Sequence, residues 1–253
     1  MHRSTTSPDP AGSGGDAPRR PDLNAGEKGL VVVIGGGRFG ERAARILSSD
    51  SSRPVWVVER DEACGPALAE LPVRLLRREG VAFLAETLPR LADEDLVVPA
   101  VPIHLAVEWL RRTPDSNANV RIVPVPEALR RVLPHTWTAP DGSLLVSHAD
   151  FLCPEDCPEP EEGCTVTGEV RTPLYDLLAN LEAPGFDVHV IRSRQLAPGL
   201  GGYLAADLRK LRDRVLGGSG KRWLIGTACR CHGTLTGLEV KSVRKERRTA
   251  PAF

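Results

Sequence analysis

Three cysteines stand in the segment CPEDCPEPEEGC, Cys153 to Cys164, with the spacing C-x3-C-x6-C, and two more sit in the run CRCH, Cys229 to His232. Thiolates in such density are metal ligands: a closed zinc site takes about four sulfur or nitrogen donors, and an iron–sulfur cluster about four thiolates. Pro154 and Pro158 directly follow two of the cysteines and suit the sharp turns that would aim donors four positions apart at one centre. Five acids and three prolines fill most of the rest of this twelve-residue stretch, so it has almost nothing to bury and coordination energy is the natural force to order it. The same acids disfavour further thiolate charge unless a cation offsets it. Cys153, Cys157, Cys164, Cys229, Cys231 and His232 are therefore expected to ligate one metal centre, zinc or an iron–sulfur cluster, with a redox-active disulfide or unrelated thiols as the alternatives. The spacing is neither a zinc-finger nor a ferredoxin signature. His148 is a replacement ligand, and Cys64, in RDEACG, reads as an ordinary helix-start residue.

A second constellation lies near the start of the chain. GGGRFG, Gly35 to Gly40, satisfies G-x-G-x-x-G and sits between an apolar run and a helical pattern. Gly35 would permit the tight turn, Gly37 the approach of a pyrophosphate to backbone N–H groups, and Gly40 close packing of helix on strand, with Arg38 and Phe39 in the first helical turn. Glu59 ends the next apolar run, PVWVVE, where a carboxylate accepts hydrogen bonds from an adenosine ribose; an acid there favours NAD(H) over NADP, although Arg60 beside it weakens that preference. The alternative is a tight strand-to-helix turn with no ligand.

LVVVIGGGRFGERAARIL followed by VWVVERDE resembles the TrkA-N type (RCK-like) dinucleotide-binding domain over residues 30 to 126. That resemblance implies a Rossmann-like domain with Gly35, Gly37, Gly40 and Glu59 as cofactor contacts, in a family that regulates potassium transporters and channels. GGGRFGERAARIL is also similar to the opening of precorrin-2 dehydrogenases, which implies an NAD-dependent oxidoreductase.

Two further groups have chemical potential. Arg192 and Arg194, with Gly199, Gly201 and Gly202 ahead of a helical pattern, form a candidate anion cradle or, alternatively, a flexible connection. His104 follows VVPAVPI at the expected carboxyl edge of a sheet and is a candidate acid/base, with a capping or packing role as its alternative. No Ser-His-Asp set, catalytic carboxylate pair or HExxH motif is recognisable.

The elements that must position these residues are legible in the apolar pattern. LVVVI, PVWVVE, Val73 to Leu76, DLVV and VRIVPV alternate with the helical runs ERAARIL, VAFLAETL and HLAVEWLRR, which predicts an α/β fold with a doubly wound, Rossmann-like parallel sheet over residues 29 to 130. A second, α+β domain is expected over 131 to 243: a hairpin in TWTAPDGSLLVSH, the cysteine segment, helix PLYDLLANL, strand DVHVIRS, helix YLAADLRKLRDRVL and strand RWLIGTACRC. Residues 1–28, rich in Pro, Gly and Ser, are expected to be a disordered tail, and 244–253 a basic tail.

With 33 basic and 33 acidic residues the chain has no net charge, and its aromatics are scattered, so a nucleic-acid partner is not expected. The absence of a long apolar run or a secretory signal predicts a cytoplasmic protein without membrane insertion. The reading is an NAD(H)-binding protein with a cysteine-ligated metal centre in a redox role, acting with a small-molecule or protein redox partner, as an oxidoreductase. The alternatives are an NAD-responsive regulatory module with structural zinc and a precorrin-2 dehydrogenase-like enzyme. A homodimer is compatible with either, and the sequence does not name the electron acceptor.

Overall fold

The computed structural model describes residues 29–50, 53–113, 118–218 and 220–242. The tails expected at 1–28 and 244–253 lie outside the described residues.

Unbroken apolar runs form the first sheet. β1 (Val31–Ile34) and β2 (Val55–Val58) are buried along their whole length, as parallel strands covered on both faces must be. With β3 (Arg74–Leu76) and β4 (Leu96–Pro99) they give four parallel strands in the order β3-β2-β1-β4. α1 (Arg38–Ser48) and α2 (Gly65–Ala69) cover one face, where Val31, Val33, Val55 and Val57 meet Ala43, Ala44 and Leu68. On the other face Val32, Ile34, Trp56 and Val58 pack with α3 (Gly80–Thr87) and α4 (Leu105–Arg112).

The second half of the chain adds to this sheet as well as building its own. β9 (Arg194–Ala197) and β10 (Leu200–Leu204) form a hairpin, and β10 pairs antiparallel with β4 to extend the first sheet to six strands. The strand expected to finish the parallel sheet, VRIVPV, is β5 (Ala118–Val123), and it pairs instead with β12 (His232–Ser242) in the second sheet. That sheet runs β6-β7-β12-β11-β8, with β5 also on β12, from β6 (His135–Thr138), β7 (Leu144–Ser147), β8 (Asp187–Arg192) and β11 (Arg222–Ala228). The predicted hairpin is β6–β7, with Gly142 at φ +83° in its turn.

α4 and α6 (Ala205–Leu216) join residues of both sheets in one core. Leu208, Leu211 and Val215, spaced three and four apart and so on one face of α6, are buried there with Trp223, Ile225, Leu238 and Val240. α5 (Leu174–Ala179) covers the far face of the second sheet through Leu174 and Leu178. The layers are thus helix, mixed sheet, helix, mixed sheet, helix. Among the described residues no helix is long and apolar enough to cross a membrane.

Candidate functional site

The three motif glycines of GGGRFG stand in different surroundings. Gly35 stands at φ +104°, and a side chain there would overlap the Ala100 carbonyl. A methyl on Gly40 would overlap the Gly35 carbonyl oxygen, so this glycine is required for α1 to lie against β1. Gly37 differs: its φ of −67° suits any residue, and a methyl on it would meet nothing within 4 Å. No side chain caps α1, whose N-cap is Gly37. Glu59 reaches back to the loop, its carboxylate accepting from the Gly36 N–H at 2.7 Å and from the Asp61 N–H at 2.7 Å. Arg60 is exposed.

The first two turns of α1 also carry contacts that the sequence did not reveal. Arg38 pairs with Glu155 in the cysteine segment. Arg42 donates to three backbone carbonyls, those of Glu155 (2.7 Å), Pro198 (3.1 Å) and Gly199 (3.3 Å). Its neighbours in sequence mark it only as a polar helix residue, and the acceptors lie more than a hundred positions away.

None of the residues 153–164 is buried, in keeping with the composition of the segment. It is held by polar contacts instead. The Cys157 carbonyl accepts from the Gly199 N–H and from the Gln195 side chain, both at 2.8 Å, and the Cys164 N–H donates to Glu169 at 2.9 Å. CRCH is the turn of the β11–β12 hairpin, closed by the Cys229 N–H on the His232 carbonyl at 2.9 Å.

All five of these cysteines and His232 line one cavity of 940 Å³, which Arg38, Phe39, Arg42 and Pro99 line from the side of the first sheet. Cys153 Sγ lies 3.5 Å from His232 Nε2, and Cys229 Sγ lies 4.0 Å from His232 Nδ1. Burial pushes the Cys229 thiol up to about 12, helped by Glu159. Cys231 is pushed up to about 11 by burial, by Glu159 and by Cys157, Cys164 and Cys153, so these thiols lie within electrostatic reach of one another. Cys164 moves the other way because the backbone N–H groups of Thr167 and Val166 favour its thiolate. Among the described residues, no three His, Cys, Asp or Glu side chains are already close enough to hold an ion. Among the described residues, five of the eight exposed large apolar side chains, Phe39, Trp137, Leu145, Leu152 and Val166, also border this cavity. They give the cavity border apolar surface that no sequence motif marks.

Of the other candidates, His148, Gly199 and Gly201 line the cavity, and His104, Arg192, Arg194, Gly202 and Cys64 do not. His104 is buried and does not line the cavity; its Nδ1 is 2.7 Å from Thr236 Oγ1, and burial lowers its pKa to about 4, leaving a neutral packing residue at the N-cap of α4. The expected anion cradle is replaced by the β9–β10 hairpin. Gly199, at φ +66°, makes its turn, Gly201 and Gly202 are strand residues, Arg194 pairs with Asp207 at 2.5 Å, and Arg192 stacks on Tyr175. The helix after it begins only at Ala205, where Asp207 already accepts from the Leu204 N–H. His148 lines the cavity and contacts the Thr172 carbonyl through Nε2 at 2.9 Å. Cys64 ends a 3-10 turn at the start of α2, outside the cavity.

Residues 106–241 match the family model AF_1314_C, described as "Uncharacterized protein, C-terminal domain". The chain belongs to this family. The match runs from α4 into β12, so it takes in the whole cysteine constellation and leaves out the glycine motif. An uncharacterized protein of Archaeoglobus fulgidus is 33% identical over 229 residues, covering 83% of this chain and 99% of that protein. No solved structure matches.

Proposed function

We propose that this family member binds NAD(H) through a Rossmann-like, doubly wound first sheet of the TrkA-N type and carries a cysteine-ligated metal centre, zinc or an iron–sulfur cluster, in a redox role. One observation carries the reading: a single cavity is lined on one side by Arg38, Phe39 and Pro99, at the carboxyl end of the parallel strands, and on the other by five cysteines and a histidine. In open α/β sheets ligands bind at that end, where the strand order reverses, and here the reversal falls between β1 and β4.

The glycine loop fits a dinucleotide. Gly35 and Gly40 are explained by the protein's own packing, whereas Gly37 leaves open space beside an uncapped helix N-terminus, which is the space a pyrophosphate needs. The residues that would hold the dinucleotide are Gly37 and the first-turn amides of α1 for the phosphates and Glu59 for the ribose. The thiols fit a metal centre in donor type and number, and their loop contains no buried side chain that would resist closing around one. The residues that would hold it are drawn from Cys153, Cys157, Cys164, Cys229, Cys231 and His232. When bound, NAD(H) supplies a hydride couple and the metal centre a Lewis acid or an electron acceptor. The chain's own contribution is to set the start of α1, through Arg38 and Phe39, on the cavity that the cysteines line; Gly37 and Glu59 lie just outside that lining.

His232, poised between Cys153 and Cys229, favours a second reading in which a mixed sulfur–nitrogen set holds structural zinc and the protein is an NAD-responsive regulatory module. Anaerobic purification with metal and acid-labile sulfide analysis, followed by NADH oxidation assays across one- and two-electron acceptors, tests the pair. A visible chromophore with iron and sulfide, and acceptor-dependent NADH oxidation, is the expected result. Colourless protein with one zinc that binds NADH without oxidising it supports the regulatory reading, and protein with neither metal nor bound nucleotide removes both.

A further inference from the structure

The cysteine loop and the start of α1 are tied by two arginines about one helical turn apart, and the two ties differ in kind. Arg42 grips three carbonyls, one in the cysteine loop and two in the turn of the β9–β10 hairpin. That hairpin turn in turn donates from the Gly199 N–H to the Cys157 carbonyl, and Gly199 lies so close that a methyl on it would overlap the Glu155 carbonyl oxygen. Three acceptors in two segments hold this guanidinium at once, so exchange of any one of them does not release it. Arg38 is different. It is the first residue of α1, directly after Gly37, and its side chain is 76% exposed and engaged with the carboxylate of Glu155. A guanidinium held by one solvent-screened carboxylate exchanges readily for the oxygens of a phosphate at the same helix end, which offer bidentate geometry and more charge.

We infer that the Arg38–Glu155 ion pair is a switch by which a dinucleotide at the start of α1 loosens the cysteine loop, with Arg42 as the fixed pin that limits how far the loop moves. The inference rests on the proposed dinucleotide site and adds to it a regulation of the thiols. Arg38 and Arg42 are positioning residues, acting on Cys153 and Cys157 through Glu155. Thermodynamic linkage makes the coupling reciprocal: whatever factor the ligand adds to loop opening, prior opening must add to ligand affinity.

The test uses the full chain, purified anaerobically, with ADP-ribose as the probe, since it carries the pyrophosphate and ribose but no redox ring and leaves thiols and metal in their existing oxidation state. Iodoacetamide alkylation of Cys153 and Cys157 is followed by peptide mass spectrometry, and ADP-ribose affinity by calorimetry. Saturating ADP-ribose is expected to raise both alkylation rates about two- to fivefold, the range for loss of an exposed ion pair. Glu155→Gln should alkylate at the raised rate without ligand, show no further ligand effect, and bind ADP-ribose tighter by the same factor. Arg42→Ala should alkylate about tenfold faster or more in either state, having lost several charge-assisted bonds. Unchanged ADP-ribose affinity in Glu155→Gln overturns the switch, because a merely structural ion pair would leave it there. Calorimetric binding to the wild-type chain with unchanged alkylation also overturns it, while leaving the dinucleotide site standing. Absence of any binding heat removes the dinucleotide site and the switch together.

Discussion

Replacing Gly37 by alanine separates a glycine kept for the protein from one kept for a ligand. In the folded chain the added methyl meets nothing within 4 Å and the backbone needs no adjustment at φ −67°. Alanine is a poorer N-cap than glycine by several tenths of a kcal/mol, up to about 1 kcal/mol, but it also restricts the unfolded chain, which returns about 0.4–1 kcal/mol. The net change in stability is within about 0.5 kcal/mol. Binding responds quite differently if a pyrophosphate lies against this backbone. The methyl holds the phosphate off the first-turn amides, and loss of one charge-assisted hydrogen bond costs about 1.5–3 kcal/mol, a factor of roughly 10 to 100 in affinity. Gly40→Ala provides the contrast, since its methyl overlaps the Gly35 carbonyl and must push α1 off β1, costing about 2 kcal/mol or more of stability. Urea unfolding read by circular dichroism gives the stabilities, and calorimetric titration with NADH and ADP-ribose gives the affinities. A Gly37→Ala protein that is folded and binds within about twofold of wild type would refute the argument that its open space belongs to a ligand.

Glu59→Ala leaves the Gly36 and Asp61 N–H groups without their acceptor and should cost about 1–3 kcal/mol in urea unfolding while also weakening NADH binding. For His104 the folded pKa of about 4 lies below the unfolded value of about 6.5, so the unfolded chain takes up the proton first and stability declines as pH falls through that window. At pH 5 the loss is about 2 kcal/mol relative to pH 7, and His104→Asn should remove that part of the slope in urea midpoints; His148, His189 and His232, lowered by burial as well, add to the slope that is left. Cys157→Ser and Cys231→Ser should each lower bound metal at least severalfold in elemental analysis, whereas Cys64→Ser, outside the cavity, should retain it. Equal metal content in all three variants would count against a centre built from the cavity cysteines.

The first four strands and α1 were legible because each is a short apolar run or an amphipathic turn with local punctuation, and parallel strands buried on both faces need no partner information to be recognised. Partner choice is where the pattern fails. VRIVPV reads as one more strand of the parallel sheet, yet β5 pairs with a strand more than a hundred residues later. Gly199, Gly201 and Gly202 read as an anion cradle or a flexible connection and Tyr203 as the start of a helix, yet Tyr203 is fully buried in a strand and β10 extends the first sheet. β12, the central strand of the second sheet, went unrecognised because Gly233 and Gly237 interrupt it; the remaining signal was the period-two pair Leu238 and Val240 on one face, with Leu235 on the other. The cysteine constellation was visible from density alone. The pins Arg38 and Arg42 were not, since their acceptors belong to segments brought together only by the sheet pairing.

That pairing also decides why the two constellations meet. The carboxyl ends of β1, β2 and β4 all point to the glycine loop. β4 would be an open edge, exposed to pairing with another chain, if nothing covered it. Because β10 covers it antiparallel, with Tyr203 opposite Val97 and Leu204 opposite Leu96, the start of β10 and the Pro198–Gly199 turn before it must emerge at the carboxyl end, beside α1. A parallel β10 would have sent that turn to the opposite end and left Arg42 without two of its three acceptors. The second sheet is constrained in the same way. β8 runs parallel to β11 and leads through Ser193 into β9, so the end of β11, and with it the CRCH turn, emerges beside the segment feeding the β9–β10 hairpin. Two strand directions therefore bring Cys229, Cys231 and His232 to the same cavity as the loop carrying Cys153, Cys157 and Cys164, and that cavity to the start of α1.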